Sequence, residues 1–506
     1  MQISKIVRQE WLLLTLLILV SLSSQLIFIR PVSLSDEMIY YRNAVNFPRL
    51  PQSPNHWSMR LGIVLPVGIL YRIFGHSELV YYFLPISSTI LLVASTYLIG
   101  CMLFSRLVGA AAALWFSFLP YFLLETGNLL PDITASACIT TAIMLLIAAR
   151  NETKNTDLRW ICLLSGVLFG WAYLSKEYFA VFALIIPIIF WQFRIPRKYL
   201  LWVAFGISLM VAIEFGVHTI RYGSPLLRLT TSQPRETTGH IERDVIRIMG
   251  FFFIRLSRYR GIFSIFITVS GMAYLTIRSS RRSPTHLVLL TWVLMIYTFF
   301  TMLGLLPILL SWKGAVLLRL HIFRYWIPLL PPLAIGGVAA LEFGLQFMFK
   351  KAFPKKTLPL IIPAMVLALI ISAACVFNIF NVSKSTKFLR TESNHYQELR
   401  TYLTISNNTD TTIWIVRDLK IGYEYVLPIY AHTTFGKQIW NGQIKYLNTD
   451  GVFLKADEVC MGTVLIDRDN FNPDFYRIPR YLADIPENWQ LVFESSNGQI
   501  AIYDVP

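Results

Sequence analysis

The sequence predicts an α-helical membrane protein that crosses the bilayer many times and carries a small α/β domain at its C-terminal end. Hydrophobic residues make up 55% of the 506 residues, and charged residues only 15%. A soluble domain carries about 25% charged residues, so this composition is typical of an integral membrane protein. Apolar runs of membrane-spanning length follow one another as far as residue 380, whereas the remainder is more polar and contains short strand-like segments.

A membrane helix needs about 20 apolar residues, and about eleven segments meet or approach that length. These segments are 11–29, 79–103, 107–124, 130–149, 160–175, 178–193, 199–217, 258–277, 286–309, 322–342 and 358–380. A further apolar segment, 59–74, is interrupted by Pro66 and Gly68 and flanked by Arg60 and Arg72. We expect this segment to form a helix that lies in the membrane interface.

The short connections between the spans predict the orientation. Every second connection is basic, and together these connections carry Lys5, Arg8, Arg106, Arg150, Lys154, Arg159, Arg194, Arg197, Lys198, Arg278, Arg281, Arg282, Lys350, Lys351, Lys355 and Lys356. Because cytoplasmic loops are enriched in Lys and Arg, we expect a cytoplasmic N-terminus, with segment 11–29 as an uncleaved anchor. Loops 30–78 and 218–257 and the tail after residue 381 then lie outside.

Other classes of protein find little support in the sequence. The net charge of +16 follows from the basic cytoplasmic loops, and no segment resembles a nucleic-acid-binding module. The five cysteines are scattered, without the spacing of a disulfide framework or a metal site. The sequence shows no inverted repeat and no matched pair of interrupted helices, which argues against a secondary transporter.

The residues after the last span predict a separate outer domain. We therefore divide the chain into a transmembrane module, 1–380, with interfacial helices in its outer loop 30–78, and an extracytoplasmic α/β domain, 381–506. Four segments are strand-like: 413–416, 463–466, 490–494 and 499–503. The last two flank a Ser-Asn-Gly turn at 496–498, which predicts a β-hairpin. No catalytic motif is visible in this domain, and a role as a lid or as an acceptor platform is open.

An acidic pair, Asp36-Glu37, follows the first span. A carboxylate costs about 2.5–3.5 kcal/mol at the centre of a membrane helix, so acids kept near the membrane often have a function. On the outer face, this pair is suited to act as a general base toward a membrane-bound substrate. The alternative is a solvated loop that uses its charge to stay out of the lipid.

Cationic and imidazole side chains are also present in the outer connections. They are Arg42, Arg49, His56, Arg60, Lys176, Arg255, Arg258, Arg260, Arg319, His321 and Arg324. For any single one of them, contact with lipid headgroups is a sufficient explanation. For the whole set an anionic partner explains more, and a phosphate fits because Arg offers bidentate hydrogen bonds and Lys a compact charge.

An acid pair and a cationic set on the same face indicate group transfer from a lipid phosphate. The acid would remove the proton of an acceptor hydroxyl, and the cations would stabilise the departing phosphate. The sequence has no Asp-x-Asp signature and its histidines are dispersed, so we expect no metal and no other cofactor.

With these features the chain resembles the membrane glycosyltransferases of the GT-C superfamily, on the branch that uses polyprenyl-phosphate sugars. This branch includes protein O-mannosyltransferases and the aminoarabinose transferases that modify lipid A. Integral-membrane O-antigen glucosyltransferases of serotype-converting phages share its size and outward-facing design. The similarity extends over the first ten spans and implies a GT-C type fold, and the outer C-terminal domain suits the aminoarabinose type.

The acidic residues carry part of this resemblance. Asp36-Glu37 followed by Tyr40 is similar to the family's acidic motif in the first outer loop. The resemblance implies that Asp36 is the catalytic base, that Glu37 supports it, and that Tyr40 contributes to binding the donor phosphate. Pro131-Asp132 is similar to a second acidic position at an outer span start, with a structural or acceptor-orienting role.

The cationic residues carry the rest of the resemblance. Lys176, in a Leu-Ser-Lys-Glu run, resembles the family's outer-loop Lys near the donor phosphate. Arg60 falls where the aminoarabinose enzymes have a Lys followed by prolines, so the charge is kept although the prolines are absent. Arg255 or Arg258 resembles a cationic position before the eighth span, and the choice between them is open. The resemblance assigns a substrate-orienting role to Asp132, Arg324 and Tyr325.

The resemblance implies an inverting transfer of a monosaccharide from polyprenyl phosphate at the periplasmic face of a bacterial inner membrane. We expect glucose as the sugar and O-antigen or lipopolysaccharide as the acceptor. Aminoarabinose transfer to lipid A and protein O-mannosylation are the alternatives within the family. The expected partners are the lipid-linked sugar, membrane lipid and a glycan, lipid A or protein acceptor, without nucleic acid, and the chain is expected to be a monomer.

Two functions of other classes stay open. A flippase or transporter for a lipid-linked sugar would use the same cations to bind phosphate and would need no base. An O-antigen polymerase or ligase would use a diphosphate-linked donor and large Arg-rich outer loops, and the early acidic loop argues against it.

Overall fold

The computed structural model describes residues 2–29, 31–32, 36–52, 57–125, 127–150, 155–230, 252, 262–279, 283–309, 323–353, 361–405, 412–416, 423–432, 443–447, 449–450, 453–454, 459, 462–467 and 485–506. The chain forms two compact units. The first unit consists of Met1–Ile29, Pro51–Ile63 and Pro85–Ser383, and the second of Arg30–Leu50, Val64–Leu84 and Lys384–Pro506. The division of the chain at residue 380 into membrane and outer parts stays a prediction.

Helices dominate the described residues. The α-helices are α1 Gln2–Phe28, α2 Asp36–Asn46, α3 Leu61–Phe74, α4 Glu78–Leu103, α5 Arg106–Ser117, α6 Pro120–Glu125, α7 Pro131–Ala149, α8 Asn155–Ser175, α9 Ile185–Phe193, α10 Leu200–Tyr222, α11 Leu227–Thr230, α12 Ile262–Ser279, α13 Pro284–Leu309, α14 Leu330–Ala352, α15 Ile361–Ile405 and α16 Tyr423–Tyr430. The 3₁₀ helices are Glu177–Leu184, Arg197–Tyr199 and Phe323–Leu329.

Eight helices in the described part of the chain are long and apolar enough to span a membrane. They are Glu10–Phe28, Glu78–Leu103, Pro131–Ala149, Asp157–Ser175, Arg197–Tyr222, Pro284–Met302, Arg324–Ala352 and Ile361–Ser383. The shorter apolar helices are Leu61–Phe74, Arg106–Ser117, Glu177–Phe193 and Ile265–Ser279. Three of these fall in predicted spans and the other, Leu61–Phe74, in the segment expected at the interface. The chain is therefore a multi-pass helical membrane protein, as its composition predicts.

The predicted span 107–124 differs from a single helix. Helix α5 ends at Ser117, and α6 begins at Pro120. Proline lacks a backbone N–H and disfavours the helical conformation in the residue before it, so it is tolerated at a helix start but not inside a helix. The chain accordingly changes helix at this proline.

Helix α7 lies at the centre of the first unit. It is apolar on all sides and buried along its whole length, as a helix surrounded by other helices must be. Two hydrogen bonds between hydroxyl groups join it to α4: Ser88 to Thr134 at 3.1 Å and Ser95 to Thr141 at 2.8 Å. Such bonds hold membrane helices together because lipid offers the hydroxyl groups no alternative partner.

Helices α8 and α10 approach each other through glycine. A Cβ atom on Gly166 would meet the backbone oxygen of Val203 at 2.1 Å, and one on Gly206 would meet that of Leu163 at 2.4 Å. Both contacts are far inside van der Waals distance, so larger residues would separate the helices. Small residues at helix contacts are typical of membrane proteins, because they allow close backbone packing.

The second unit contains a mixed five-stranded sheet of strand order β2-β1-β5-β7-β6. The strands are β1 Ile413–Val416, β2 Ile444–Leu447, β3 Thr449–Asp450, β4 Phe453–Leu454, β5 Gly462–Asp467, β6 Gln490–Glu494 and β7 Ile500–Val505. Strand β1 is parallel to β2 and β5, whereas β7 is antiparallel to β5 and β6. Gly498 adopts a φ of 70° in the β6–β7 turn, a conformation that favours glycine. The predicted strands and hairpin of the C-terminal α/β domain are confirmed.

Candidate active site

Asp132 stands in the first turn of the buried helix α7, after Pro131 at the helix start. Its side chain is 1% exposed, and its carboxylate forms an ion pair with the ammonium group of Lys176. The Tyr178 hydroxyl donates a hydrogen bond to Oδ1 at 3.0 Å. The Nε atom of Arg324 lies 3.6 Å from Oδ2. One buried carboxylate therefore joins the end of α8 to the 3₁₀ helix Phe323–Leu329.

Lys176 is buried against aromatic rings. Its side chain is 3% exposed, and its Nζ atom lies 4.1 Å from the ring centroid of Tyr325 and 4.8 Å from that of Tyr178. The two rings meet edge to face, with their centroids 5.7 Å apart. Cation–π attraction is stronger where water is excluded, so the rings stabilise the ammonium group at this position.

The electrostatic environment of Lys176 makes its charge sensitive to pH. Burial lowers the pKa of this ammonium group to about 7, and the Asp132 carboxylate acts in the opposite direction. The guanidinium groups of Arg60 and Arg324 add to the lowering because like charges repel. An anion bound beside Lys176 would favour the charged form and raise its pKa.

Gly62 fixes Arg60 beside the end of α8. A Cβ atom on Gly62 would meet Oγ of Ser175 at 2.3 Å, so glycine is needed for this approach. The indole of Trp171 donates a hydrogen bond to the Gly62 carbonyl at 3.1 Å. Arg60, two residues before Gly62, places Nη2 3.5 Å from Oε1 of Glu177. Arg60 and Lys176 are thus held at the same end of α8.

Three further ionisable side chains complete the arrangement, and the sequence assigned none of them a role. Glu177 also lies 3.4 Å from Nη2 of Arg228, whose Nη1 lies 2.7 Å from Oε1 of Glu214. Burial acts to raise the pKa of Glu177, but the guanidinium groups of Arg60 and Arg228 lower it to about 2. Glu214 is a carboxylate inside an apolar helix, which is the signal that could have identified it.

We call the seven ionisable residues just described the Lys176 cluster. Its members are Arg60, Asp132, Lys176, Glu177, Glu214, Arg228 and Arg324. Four cations against three carboxylates leave one positive charge when all are ionised. Within the described residues, no three His, Cys, Asp or Glu side chains are arranged to hold a metal ion. The excess of positive charge suits the cluster to receiving an anion.

The acidic pair lies in the second unit, in the first turn of α2. Carboxylates at this position stabilise a helix, because they oppose the positive end of its dipole. Asp36 is exposed, whereas Glu37 and Tyr40 are buried. Asp36 and Tyr40 are four residues apart and share one face of the helix. The structure thus leaves Asp36 accessible and buries Glu37 and Tyr40, the two residues predicted to act with it.

Helix α2 is anchored to its neighbours within the second unit. A Cβ atom on Gly68 of α3 would meet the Ala44 carbonyl at 2.8 Å, so the two helices are in close contact. His76 lies within hydrogen-bonding distance of Tyr41 (Nδ1 to Oη 3.3 Å) and Tyr71 (Nε2 to Oη 3.4 Å). These contacts fix the helix that carries Asp36.

Other predicted positions lie outside the described residues. They are His56, Arg255, Arg258, Arg260, Arg319 and His321. The alternative between Arg255 and Arg258 as a phosphate ligand therefore stays open. Among the described predicted residues, the structure brings together Arg60, Asp132, Lys176, Arg324 and Tyr325 in the first unit.

Comparison with known proteins identifies the fold that carries this cluster. Residues 65–217 match the family model described as dolichyl-phosphate-mannose-protein mannosyltransferase. No curated protein matches the chain in sequence. The crystal structure of ArnT from Cupriavidus metallidurans in the apo state is similar, with a TM-score of 0.60, 12% identity and 98% of each chain covered. The chain has a GT-C type fold similar to that of ArnT.

Further structures agree with this assignment. The same ArnT bound to undecaprenyl phosphate gives a TM-score of 0.59 at 11% identity, with 97% of each chain covered. The apo oligosaccharyltransferase of Archaeoglobus fulgidus gives a TM-score of 0.50 at 14% identity, covering 97% of this chain and 74% of that one. At these identities the similarity shows the GT-C fold. The resemblance and the fold class predicted from the sequence are confirmed.

The family match covers part of the Lys176 cluster. Four members lie within the match and three outside it: Asp132, Lys176, Glu177 and Glu214 lie within, and Arg60, Arg228 and Arg324 outside. Chemically, the cluster presents several hydrogen-bond donors in a site from which water is largely excluded. Electrostatic attraction is stronger there than in water, so an anionic group would be bound firmly and its developing charge stabilised.

Proposed function

We propose that this GT-C protein transfers a monosaccharide from a polyprenyl phosphate to a hydroxyl group of a cell-envelope acceptor. The observation that carries the proposal is the Lys176 cluster, a buried group of cations at one end of the helices of a GT-C fold. ArnT of the same fold binds undecaprenyl phosphate, which supports this class of donor. We infer that the reaction takes place at the periplasmic face of a bacterial inner membrane.

The donor phosphate would be bound by Lys176 and Arg60, with Arg255 or Arg258 and Tyr40 as further ligands. A Lys ammonium group has three N–H donors, and Asp132 accepts one of them. The other N–H groups can be directed to phosphate oxygens without breaking the Asp132 pair. Asp132 then holds the ammonium group in place, so little reorganisation is needed when the phosphate arrives.

Asp36 would act as the general base. It accepts the proton of the acceptor hydroxyl while the hydroxyl oxygen bonds to the anomeric carbon, and the bond from that carbon to the phosphate oxygen breaks. The phosphate leaves on its polyprenyl chain with one additional negative charge, which Lys176 and Arg60 stabilise. A single displacement of this kind inverts the anomeric centre. The exposure of Asp36 supports this role, because a base must reach its substrate. Glu37 would support Asp36.

Asp132, Arg324 and Tyr325 would orient the groups that bind the substrate. The contacts of Asp132 with Lys176 and Arg324, and of Tyr325 with the Lys176 ammonium group, support this assignment. We propose that no metal or other cofactor is needed, because side-chain cations can neutralise a phosphate monoester. The chain would act as a monomer.

For the sugar and the acceptor we propose glucose and an O-antigen or lipopolysaccharide glycan. Transfer of aminoarabinose to lipid A and of mannose to protein are the alternatives within the same chemistry. Undecaprenyl-phosphate glucose, aminoarabinose and mannose can be offered separately to the purified protein with lipopolysaccharide as the acceptor. Transfer of glucose alone is expected, and transfer of another sugar alone would replace this part of the proposal.

The donor class is tested with purified protein in lipid nanodiscs. We expect sugar transfer from undecaprenyl-phosphate glucose and none from undecaprenyl-diphosphate glucose. Turnover of the diphosphate donor alone would overturn the proposal in favour of a polymerase or ligase. Movement of the lipid-linked sugar across a vesicle membrane, without transfer to any acceptor, would instead identify a flippase.

A further inference from the structure

We propose that Arg228 is a positioning residue for the donor phosphate site. It holds the segment that carries Lys176 and, through Glu177, sets the position of Arg60. This inference rests on the proposed function, because it assumes that Lys176 and Arg60 bind the lipid phosphate. Arg228 itself is not assigned to contact the substrate.

Arg228 lies in the short helix α11, beyond the end of α10. Its side chain is only 7% exposed. A guanidinium group stays charged in proteins and carries five N–H donors, so its burial is tolerated only where acceptors surround it. The acceptors around Arg228 therefore show which parts of the chain its side chain holds in place.

Two of these acceptors are backbone carbonyls in the last turn of α8. Nη1 donates to the Tyr173 carbonyl at 3.1 Å, and Nη2 to the Leu174 carbonyl at 3.4 Å. The last carbonyls of a helix have no partner within the helix and form the negative end of its dipole. Arg228 thus caps α8 immediately before Ser175 and Lys176, and so fixes the direction in which the chain leaves the helix.

The other two acceptors are carboxylates. Nη1 lies 2.7 Å from Oε1 of Glu214, and Nη2 lies 3.4 Å from Oε2 of Glu177. The second oxygen of Glu177 is 3.5 Å from Nη2 of Arg60. Glu177 therefore bridges two guanidinium groups and transmits the position of Arg228 to Arg60. One buried side chain thus sets both residues proposed to bind the donor phosphate.

A simpler explanation is that Arg228 only neutralises the buried carboxylate of Glu214. The two explanations differ for the pair variant Arg228→Met/Glu214→Gln, which removes both charges. If neutralisation is the whole role, the pair variant recovers donor binding as well as stability. If Arg228 positions the Lys176 segment, the pair variant recovers stability only, because α8 stays uncapped and Glu177 is released.

The experiment uses the full-length protein in nanodiscs, with undecaprenyl phosphate as the binding probe. Arg228→Met is expected to weaken probe binding and raise the donor KM by roughly 10- to 100-fold, the scale expected for an ångström-size displacement of a site. The acceptor KM stays unchanged. Arg228→Lys is not expected to restore binding, because an ammonium group cannot reach four acceptors in a fork geometry. Arg221→Met, at an exposed position near the end of α10, is the matched control and leaves binding unchanged.

A second variant tests the relay if Arg228→Met folds poorly. Glu177→Gln keeps the Arg228–Glu214 pair and changes a side chain that is 45% exposed. Simple electrostatics predicts tighter phosphate binding, because a negative charge is lost near the site. The positioning role predicts weaker binding, because Arg60 is no longer held.

Unchanged or tighter probe binding by Glu177→Gln would overturn the proposal, as would recovery of probe binding in the pair variant. Weaker binding by Glu177→Gln, together with a pair variant that regains thermal stability alone, would establish it. If the wild-type protein transfers no sugar, the proposed function fails, while probe binding still decides the role of Arg228.

Discussion

Two aspartates of this protein, Asp132 in the first unit and Asp36 in the second, stand in the first turn of a helix but in opposite environments. Asp132 is 1% exposed and contacts Lys176, Tyr178 and Arg324. Asp36 is exposed at the start of α2. The sequence alone presents them as similar features, namely acids near the outer ends of membrane segments.

The difference separates two uses of a carboxylate. A buried carboxylate surrounded by cations is strongly stabilised as an anion and is poorly suited to take up a proton from a substrate. Its contribution is to hold the cations in a fixed geometry. An exposed carboxylate at a helix start keeps its access to substrate, which suits a general base. We therefore expect loss of Asp36 to affect chemistry and loss of Asp132 to affect stability and donor binding.

The largest effect is expected for Asp36→Asn. A general base contributes about 10²- to 10⁴-fold to a rate, so kcat is expected to fall by that factor. Undecaprenyl phosphate binding and the thermal unfolding temperature are expected to stay at the wild-type level. Steady-state transfer assays, together with probe binding, measure the two effects separately. Asp504→Asn, which changes an exposed carboxylate on β7, serves as the control. An Asp36→Asn variant that transfers sugar at the wild-type rate would remove Asp36 from the mechanism.

The next effect concerns stability. Asp132→Asn leaves the Lys176 ammonium group buried without its counter-ion, and breaking such a pair costs about 3–5 kcal/mol. The double variant Asp132→Asn/Lys176→Met is expected to be more stable than Asp132→Asn alone, because the buried ammonium group is removed together with its counter-ion. Thermal or chemical unfolding of the detergent-solubilised variants measures both. A double variant no more stable than Asp132→Asn would show that the pairing is not what Asp132 provides.

The pH dependence of donor binding sharpens the same comparison. Lys176, with its pKa lowered to about 7, is mostly charged below pH 7 and loses its proton as the pH rises. A bound phosphate favours the charged form of Lys176, so affinity for undecaprenyl phosphate is expected to fall by up to about tenfold per pH unit above the pKa of free Lys176. Binding measured between pH 7 and 9 tests this, because the phosphate itself stays ionised there.

The Lys176→Met variant provides the control for this pH dependence. It is expected to bind more weakly at pH 7 and to show no such fall. If the affinity of Lys176→Met for undecaprenyl phosphate fell by the same factor above pH 7, another group would be responsible for the pH dependence.

The smallest effect is expected for an ion pair of the second unit. Arg400 donates to Glu78 at 2.8 Å, but its side chain is 36% exposed. Water competes for such a pair and its long side chain loses entropy when fixed, so Arg400→Gln is expected to cost about 0.2–1 kcal/mol. Thermal unfolding of Arg400→Gln, measured together with that of Asp132→Asn, compares an accessible ion pair with a buried one. A loss of stability as large as that of Asp132→Asn would mean that exposure does not determine how much an ion pair contributes.

Much of the fold could be predicted from the sequence because its signals are local. Apolar runs and loop charges predict a multi-pass membrane protein, and the Ser-Asn-Gly turn predicts the hairpin that Gly498 forms with its positive φ. The break between α5 and α6 was also within reach, because Pro120 marks it. The apolar run across it concealed the break, since composition does not distinguish one helix from two.

The candidate site could likewise be predicted only in part from the sequence. Lys176, Asp132, Arg60 and Arg324 were identified by residue type and position relative to the spans, and the structure brings them together. Arg228 and Glu214 were missed. Arg228 falls in the predicted long loop 218–257, where an arginine attracts no notice. It becomes informative only through the α8 carbonyls and the carboxylates around it.

The sequence by itself determined that the chain is a membrane protein, where most of its helices fall and which residues between them are charged. These properties follow from transfer of side chains between water and lipid, which depends on composition along the chain. Only the tertiary structure decided which charges are paired and which are exposed. Ion pairing and burial act over a few ångströms in space, and residues 132, 176 and 324 reach that distance only when the helices pack.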